Sequence, residues 1–492
     1  MNKTLIRNMW VGLFALVLSS QLVSAADFSP WSKKTSLTFS GYTKPEPLTN
    51  FPVMVVLSTN IGGFSYADFQ SGTHDDLRFT DETQTSELNY EVEKWDTNGS
   101  SYVWVQVPNL AQNTVIWALW GMASQTAPAY TTNGATWANG YVGVWHLPDG
   151  ATLSAKESTA NALVTTNQGV SAVAGKIDGG GHFNGSAYLD AGGSFNPDGS
   201  TPLTLSCWFK TSDTIIDPQS LISKDLMTGT YAGFTLGLNE LTATAGDLGK
   251  VGVVWVEDAT KGAYARKQTT TSYNDGQWHL ATVVYDGSKT LAGTTIYVDG
   301  ILRATERTDG ADSFSGSMAN AAMLEVGARD GAYQPYYGDL DEVRIAVAAH
   351  SADWVWATWF NTASNSDFVT VATVATVSSS NGAAGLRTDA ATQIGATTAV
   401  LNGYLCSTGA SPTTVFAYWG PTDGGTNAAA WAHALSLGTR AAAAFSNSVT
   451  GLNANSFYYF RHQATNDEGS VWSPASAGFS TAAPQGPIYR FW

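Results

Sequence analysis

Short runs in which apolar and polar residues alternate with a period of two recur along the chain, the pattern of half-buried β-strands. Phe51–Leu57, Leu88–Val92, Tyr102–Val107 and Thr114–Leu119 predict a first antiparallel domain, with turn chemistry at Asn60-Ile-Gly62-Gly63 and Asn98-Gly99-Ser100 between them. Leu203–Lys210 places Leu203, Leu205, Cys207 and Phe209 on one face, with Trp208 the exception on the other. Thr294–Val298 and Ile301–Thr305 flank Asp299-Gly300, two residues that tolerate positive φ, and this predicts a hairpin. Trp354, Trp356 and Trp359 have partly helical spacing and are expected to cover a sandwich edge.

Composition divides the chain. Residues 1–25 read as a secretory signal: Lys3 and Arg7 precede an apolar run from Met9 to Leu18, and Val23-Ser24-Ala25 precedes Ala26-Asp27. That run is too short to span a bilayer, and no other segment approaches spanning length. The mature chain is therefore expected to be exported, with no transmembrane segment. Residues 27–128 form the first β domain, 129–140 a linker and 141–362 a central domain; 363–389 form a second linker, 390–481 a last domain and 482–492 a tail.

The central domain opens at Tyr141-Val-Gly-Val-Trp145-His146 and contains Gly175-Lys-Ile-Asp178, Phe183-Asn184-Gly185, Asp275-Gly-Gln-Trp278-His279, Tyr297-Val-Asp299-Gly300 and Gly338-Asp-Leu-Asp341-Glu342-Val-Arg344-Ile345. In that order these phrases resemble the laminin-G-like, concanavalin-type β-sandwich; Tyr336-Tyr337-Gly338 departs from the Phe-Asp-Gly that the family places before its last strand. Phe51-Pro-Val53, Asp76-Leu-Arg78-Phe79-Thr80-Asp81, Tyr90–Trp95 and Val103–Pro108 resemble an uncharacterised β domain found beside such modules in secreted bacterial proteins. Thr398–Gly403, Thr414–Gly420, Gly451–Arg461 and Ala464–Gly469 resemble a fibronectin type III or immunoglobulin-like sandwich, with Tyr458 at the position of a corner tyrosine. The implied fold class is all-β: tandem antiparallel β-sandwiches with a central concanavalin-like jelly roll, strung as separate beads.

With 40 Asp and Glu against 24 Lys and Arg, the formal charge is −16, and it becomes −18 once Lys3 and Arg7 leave with the signal. An acidic surface argues against nucleic acid as partner. Cys207 and Cys406 fall in different domains and are expected to be buried apolar fillers rather than a disulfide.

The fold raises glycoside hydrolysis, which on this scaffold uses carboxylates spaced along one strand. No Glu-x-Asp-x-Glu run occurs in the central domain. Glu91-Val-Glu93, its closest imitation, lies in the first domain and reads as two solvated carboxylates on an outer strand face. The seven histidines show no His-x-x-x-His spacing and the cysteines no Cys-x-x-Cys pair, so no zinc site is expected, and His279 reads as a hydrogen-bonded core histidine. Alternation assigns Asp339 and Asp341 to one face and Leu340 and Glu342 to the other. The resemblance makes Asp341 a candidate ligand of a structural Ca²⁺, against a salt bridge from Asp341 or Glu342 to Arg344. Sugar recognition needs ring faces beside amides or carboxylates, a mixture that Tyr333, Gln334, Tyr336 and Tyr337 offer in one loop; a turn packed by its own tyrosines is the other reading.

These features point to an exported, non-catalytic binding or adhesion protein that recognises a polysaccharide, a glycoprotein or another protein partner through its central domain. A structural cell-envelope protein without a ligand pocket and a glycoside hydrolase are the alternatives.

Overall fold

The computed structural model describes Phe28 and residues 30–484 apart from 149–151, 228–230, 241–245, 258–263, 307–309, 332, 377–383, 410 and 468. The expected signal peptide and most of the C-terminal tail lie outside the described residues. The chain divides into two compact units, Phe28–Ser380 and the C-terminal part from Asn381. Both are all-β with antiparallel sheets.

The first domain contributes six strands: β1 (Lys33–Thr38), β2 (Leu48–Ser58), β3 (Arg78–Asp81), β4 (Tyr90–Lys94), β5 (Ser100–Leu110) and β6 (Val115–Trp120). β2, β5 and β4 form one sheet, while β1, β6 and β3 form another. The expected second linker supplies two strands of the latter: Thr370–Val371 and Ala375–Thr376 both pair with β1. Residues 370–376 are thus not a free connector.

The central domain is a sandwich of two eight-stranded sheets. In the first, the strand Leu203–Lys210 lies between Trp278–Tyr285 and Tyr337–Ala346, the latter flanked by Gly179–Asn184 and by β7 (Tyr141–Trp145). The second runs through Gln219–Asp225, Gly233–Leu238, Lys250–Val256 and Tyr264–Ser272. The alternating residues Leu203, Leu205, Cys207 and Phe209 meet Phe234, Leu236, Val253 and Trp255 in the core between the sheets. As expected, Asp299 and Gly300 both hold positive φ in the tight turn between the two hairpin strands.

The face on which Trp208 lies is also closed to water. The outer face of the first sheet is covered by helix α1 (Ala352–Ala363) and by the β2-β5-β4 sheet of the first domain. The Ser351 hydroxyl caps α1 by accepting from the Trp354 amide. The Trp208 indole donates to Thr362 Oγ1 on the helix at 3.2 Å. Phe51 of β2 packs edge-on against Trp354 with ring centroids 4.8 Å apart, and their apolar core holds Tyr141, Val144, Ile177 and Ala346 from the central domain. Asn361 Oδ1 accepts from the Met54 amide, Asn365 donates to the Met54 carbonyl, and Lys94 pairs with Asp178. Trp137, in the expected first linker, is itself buried in this core. The beads expected at 27–128 and 141–362 are therefore one body with a continuous apolar joint.

The C-terminal unit is a two-sheet antiparallel sandwich. One sheet contains Gly385–Thr392, Thr398–Ser407 and Ala443–Thr450, and the other is built around Thr413–Gly420 and Phe457–Asn466. The Tyr458 hydroxyl accepts from the Asn453 amide at 3.0 Å. Cys207 is fully buried, but Cys406, expected to be buried, is only partly covered because its side of the strand faces outward.

The joint predicts that 28–140 cannot be removed harmlessly. A fragment 141–360 would expose the faces of Trp208, Val144 and Ala346 and is expected to aggregate on expression. A fragment 28–380 should remain soluble and melt in one calorimetric transition.

Candidate functional sites

The joint between the first two domains holds a buried polar cluster. Glu91 and Glu93 point from β4 to the same side, but that side faces the central domain, so neither is the solvated carboxylate expected of an outer strand face. The side chain of Glu93 is fully enclosed. His146, directly after β7, places Nδ1 2.7 Å from Glu342 Oε1 and 3.4 Å from Glu93 Oε2, and Nε2 3.8 Å from Glu91 Oε2. Glu342 reaches this side because the ladder is interrupted opposite Ser206 and Trp208, and Glu342 adopts a φ of 50°. The bulge corrects the simple alternation: Leu340, Val343 and Ile345 enter the inner core while Glu342 turns outward to join His146.

Outer contacts hold each member. The Trp104 indole donates to Glu93 Oε2 at 2.7 Å, Trp137 to Glu91 Oε2 at 2.7 Å, and Ser158 to Glu91 Oε1 at 2.8 Å. Arg344 bonds Glu342 Oε2 and lies 4.4 Å over the Trp104 ring and 5.0 Å over Trp137. Burial pushes the Glu93 carboxyl well above the usual range, and the Glu342 charge adds to this. For His146, burial opposes the charged form but Glu342 and Glu93 outweigh it and raise the value. Burial likewise opposes the charge on Glu342, and the adjacent His146 and Arg344 overcome it, so its value falls.

Asp341 is buried; Oδ2 accepts the Lys176 and Ile177 amides at 2.8 and 3.0 Å, and Oδ1 has no hydrogen-bond partner. The salt bridge expected from Glu342 to Arg344 is formed.

The proposed tyrosine loop does not form one surface. Tyr336 is a core residue whose hydroxyl donates to the Lys210 carbonyl at 3.0 Å. Gln334 accepts from Arg329 at 3.1 Å, and Tyr333 stands apart with 55% exposure. Tyr337 alone faces an open groove of about 660 Å³ shared with His182, Asn184, Lys210, Asp213 and Asp339. Register produces this grouping. His182 opposes Asp339, Asp339 opposes Lys210 and Lys210 opposes Trp278, making one cross-strand row on the outer face of the first sheet. His182 Nδ1 lies 2.7 Å from Asp339 Oδ1, Lys210 Nζ lies 3.7 Å from Oδ2, and Lys210 also lies 5.9 Å from the Trp278 ring centre. His279 is half-buried rather than a core residue, held between Asp299 at 2.8 Å and Asp275 at 3.2 Å.

A third polar group lines the outer face of the second sheet. Asp190, Glu325, Ser223, Thr235, Val254 and Arg266 form a continuous cross-strand row. Asp225 pairs with Arg329 at 2.6 Å. Gly237 and Gly252 leave the space into which Glu240 folds. Burial raises Asp225 to about 7, Glu240 to about 8 and Glu325 to about 7. These are values suited to a general acid, yet the three residues are only 1–3% exposed.

The sign for Glu240 follows from linkage. Between the ordinary value of 4.5 and about 8, the folded chain keeps a proton that the unfolded chain has lost, so stability falls as pH rises through that window. Glu240→Gln is expected to raise Tm at pH 8.5, recovering on the order of a few kcal/mol, and to change little at pH 5. Thermal melts across pH 5–9 check this.

Residues 180–356 match the family model described as the concanavalin A-like lectin/glucanases superfamily, and residues 73–137 match a domain of unknown function, DUF2341. None of the curated proteins matches this chain. Among solved structures, the chain is similar to the binding domain of Paraclostridial Mosquitocidal Protein 1 at 13% identity and a TM-score of 0.34, covering 45% of this chain and 52% of that one. It is also similar to Domain 4 of AbnA, a GH43 extracellular arabinanase from Geobacillus stearothermophilus, in complex with arabinotriose: 16% identity, TM-score 0.33, 44% and 97% coverage. A third is the Ruminococcus gnavus IT-sialidase CBM40 bound to α2,3-sialyllactose, at 18% identity, TM-score 0.25, and 35% and 95% coverage. Residues 180–356 are thus a concanavalin A-like lectin/glucanase superfamily domain, packed on a DUF2341 domain.

Proposed function

We propose that this chain is an exported, non-catalytic glycan-binding protein whose sugar site is the row His182–Asp339–Lys210–Trp278 with Tyr337 and Asn184 beside it. The observation that carries this reading is the row itself. It lies on a strip of the first sheet beyond the part covered by the first domain and offers an indole beside a lysine, an imidazole, a carboxylate and an amide. Sugar C–H faces stack on a ring, while hydroxyls need fixed donors and acceptors. Asp339, oriented by His182 and Lys210, supplies an acceptor pair without needing to rearrange. The superfamily of residues 180–356 supports the ligand class. The absence of a transmembrane-type helix among the described residues and the N-terminal leader pattern support export. The first domain acts as a support for the central one, and the C-terminal sandwich, read as fibronectin type III-like, acts as a spacer.

A glycoside hydrolase remains a second reading on one specific observation, the raised carboxyls Asp225, Glu240 and Glu325. Reducing-sugar release from a polysaccharide panel that is lost in Glu240→Gln would favour it.

Glycan arrays with residues 28–484 test the binding reading. Trp278→Ala and Asp339→Asn are each expected to weaken binding about tenfold, the loss of one stacking or charge-assisted contact, whereas Tyr333→Ala should leave it unchanged. No binding by the intact chain to any glycan would overturn the reading.

A further inference from the structure

The cluster in the joint is built from three strands of two domains: Glu91 and Glu93 on β4, His146 after β7, and Glu342 on Tyr337–Ala346. One nitrogen of His146 and one oxygen each of Glu93 and Glu342 all lie within 4.8 Å of one another. Two of the three are fixed from behind: Trp104 donates to Glu93 and Arg344 bonds Glu342. Glu91, anchored by Trp137 and Ser158, stands 3.8 Å from His146 Nε2, which is buried without a hydrogen-bond partner. The other ring nitrogen, Nδ1, faces Glu342 Oε1 at 2.7 Å. Two acceptors at that separation repel unless a proton or a cation lies between them.

Two further observations bear on which it is. Glu93 Oε1 is buried and has no hydrogen-bond partner, so the side chain holds an unused acceptor inside the joint. Around His146 three buried carboxylates, Glu91, Glu93 and Glu342, face the buried guanidinium of Arg344, and the largely exposed Lys156 reaches Glu91 Oε1 from the rim at 3.6 Å. A buried volume tolerates little net charge, and positive charge is short. Protons or one divalent ion would supply it, and the ion would also be coordinated by the spare oxygen of Glu93.

We propose that this joint binds one divalent transition-metal ion of the zinc class, held by His146 Nδ1, Glu342 and both oxygens of Glu93. An imidazole with carboxylates suits such an ion, whereas Ca²⁺ prefers six to eight oxygens. The site is closed, so its role is to join the two domains, with one ligand from the first and two from the second. Ligands separated this widely along the chain leave no spacing motif.

The test uses the chain stripped with a strong chelator and then given Zn²⁺, Mn²⁺ or Ca²⁺ separately. After gel filtration, close to one equivalent of Zn²⁺ or Mn²⁺ per chain is expected by elemental analysis. Tm should rise by about 5 °C or more at a hundredfold excess over Kd, with no comparable response to Ca²⁺. Glu93→Gln should lose both the metal and the rise, while His182→Gln, remote from the joint, should keep them. Because altering the joint can impair folding, anomalous diffraction at the zinc edge from wild-type crystals locates the ion independently: a peak between His146, Glu93 and Glu342 supports the site. Metal-free wild type whose Tm ignores all three ions, or metal bound with an anomalous peak elsewhere, overturns the proposal.

Discussion

The covered outer face of the central domain's first sheet is the constraint on which the rest of the molecule depends. Val144, Ala346 and Ile177, with Trp208 under helix α1, form an apolar surface that a lone sandwich would leave to water, and the β2-β5-β4 sheet with helix α1 removes it. Once that face is closed, charged residues on it must be matched internally. Arg344, Glu342, His146, Glu91 and Glu93 meet part of that demand within one network clasped by Trp104 and Trp137. Such a network adds little net stability compared with an apolar joint.

The same coverage decides where ligands can reach. The strand Tyr337–Ala346 begins at an open groove, where Asp339 lies between His182 and Lys210, and runs into the closed joint, where Asp341 and Glu342 are sealed. Chemically similar carboxylates two and three residues apart therefore have unrelated tasks. On the opposite sheet, the tight floor at Gly237 and Gly252 draws Glu240 inward, and burial rather than neighbouring charge dominates its proton affinity.

Much of the architecture could be read along the sequence because it is local. The Asp299-Gly300 hairpin and the Leu203–Phe209 alternation need only turn chemistry and a period of two. The sites could not, for three separate reasons. Alternation says that Glu91 and Glu93 share a side but not that a second domain lies against it. The outward turn of Glu342 needs a positive φ at a non-glycine residue, which no pattern announces. The His182–Asp339–Lys210–Trp278 row exists only through strand register, which joins positions up to 157 residues apart. Tyr336 was misplaced for a simpler reason: an aromatic in a polar loop can serve the core, and its hydroxyl found a backbone carbonyl there.

The pairing of Thr370–Val371 and Ala375–Thr376 with β1 also fixes an order of events. An edge laid down near residue 33 waits for partners that emerge only after the whole central domain has been made. Until then its backbone donors and acceptors are open to strangers, as on any bare sheet margin. A nascent chain is thus vulnerable at its first strand, and closing that seam marks the point at which the two-domain body becomes safe from wrong pairing.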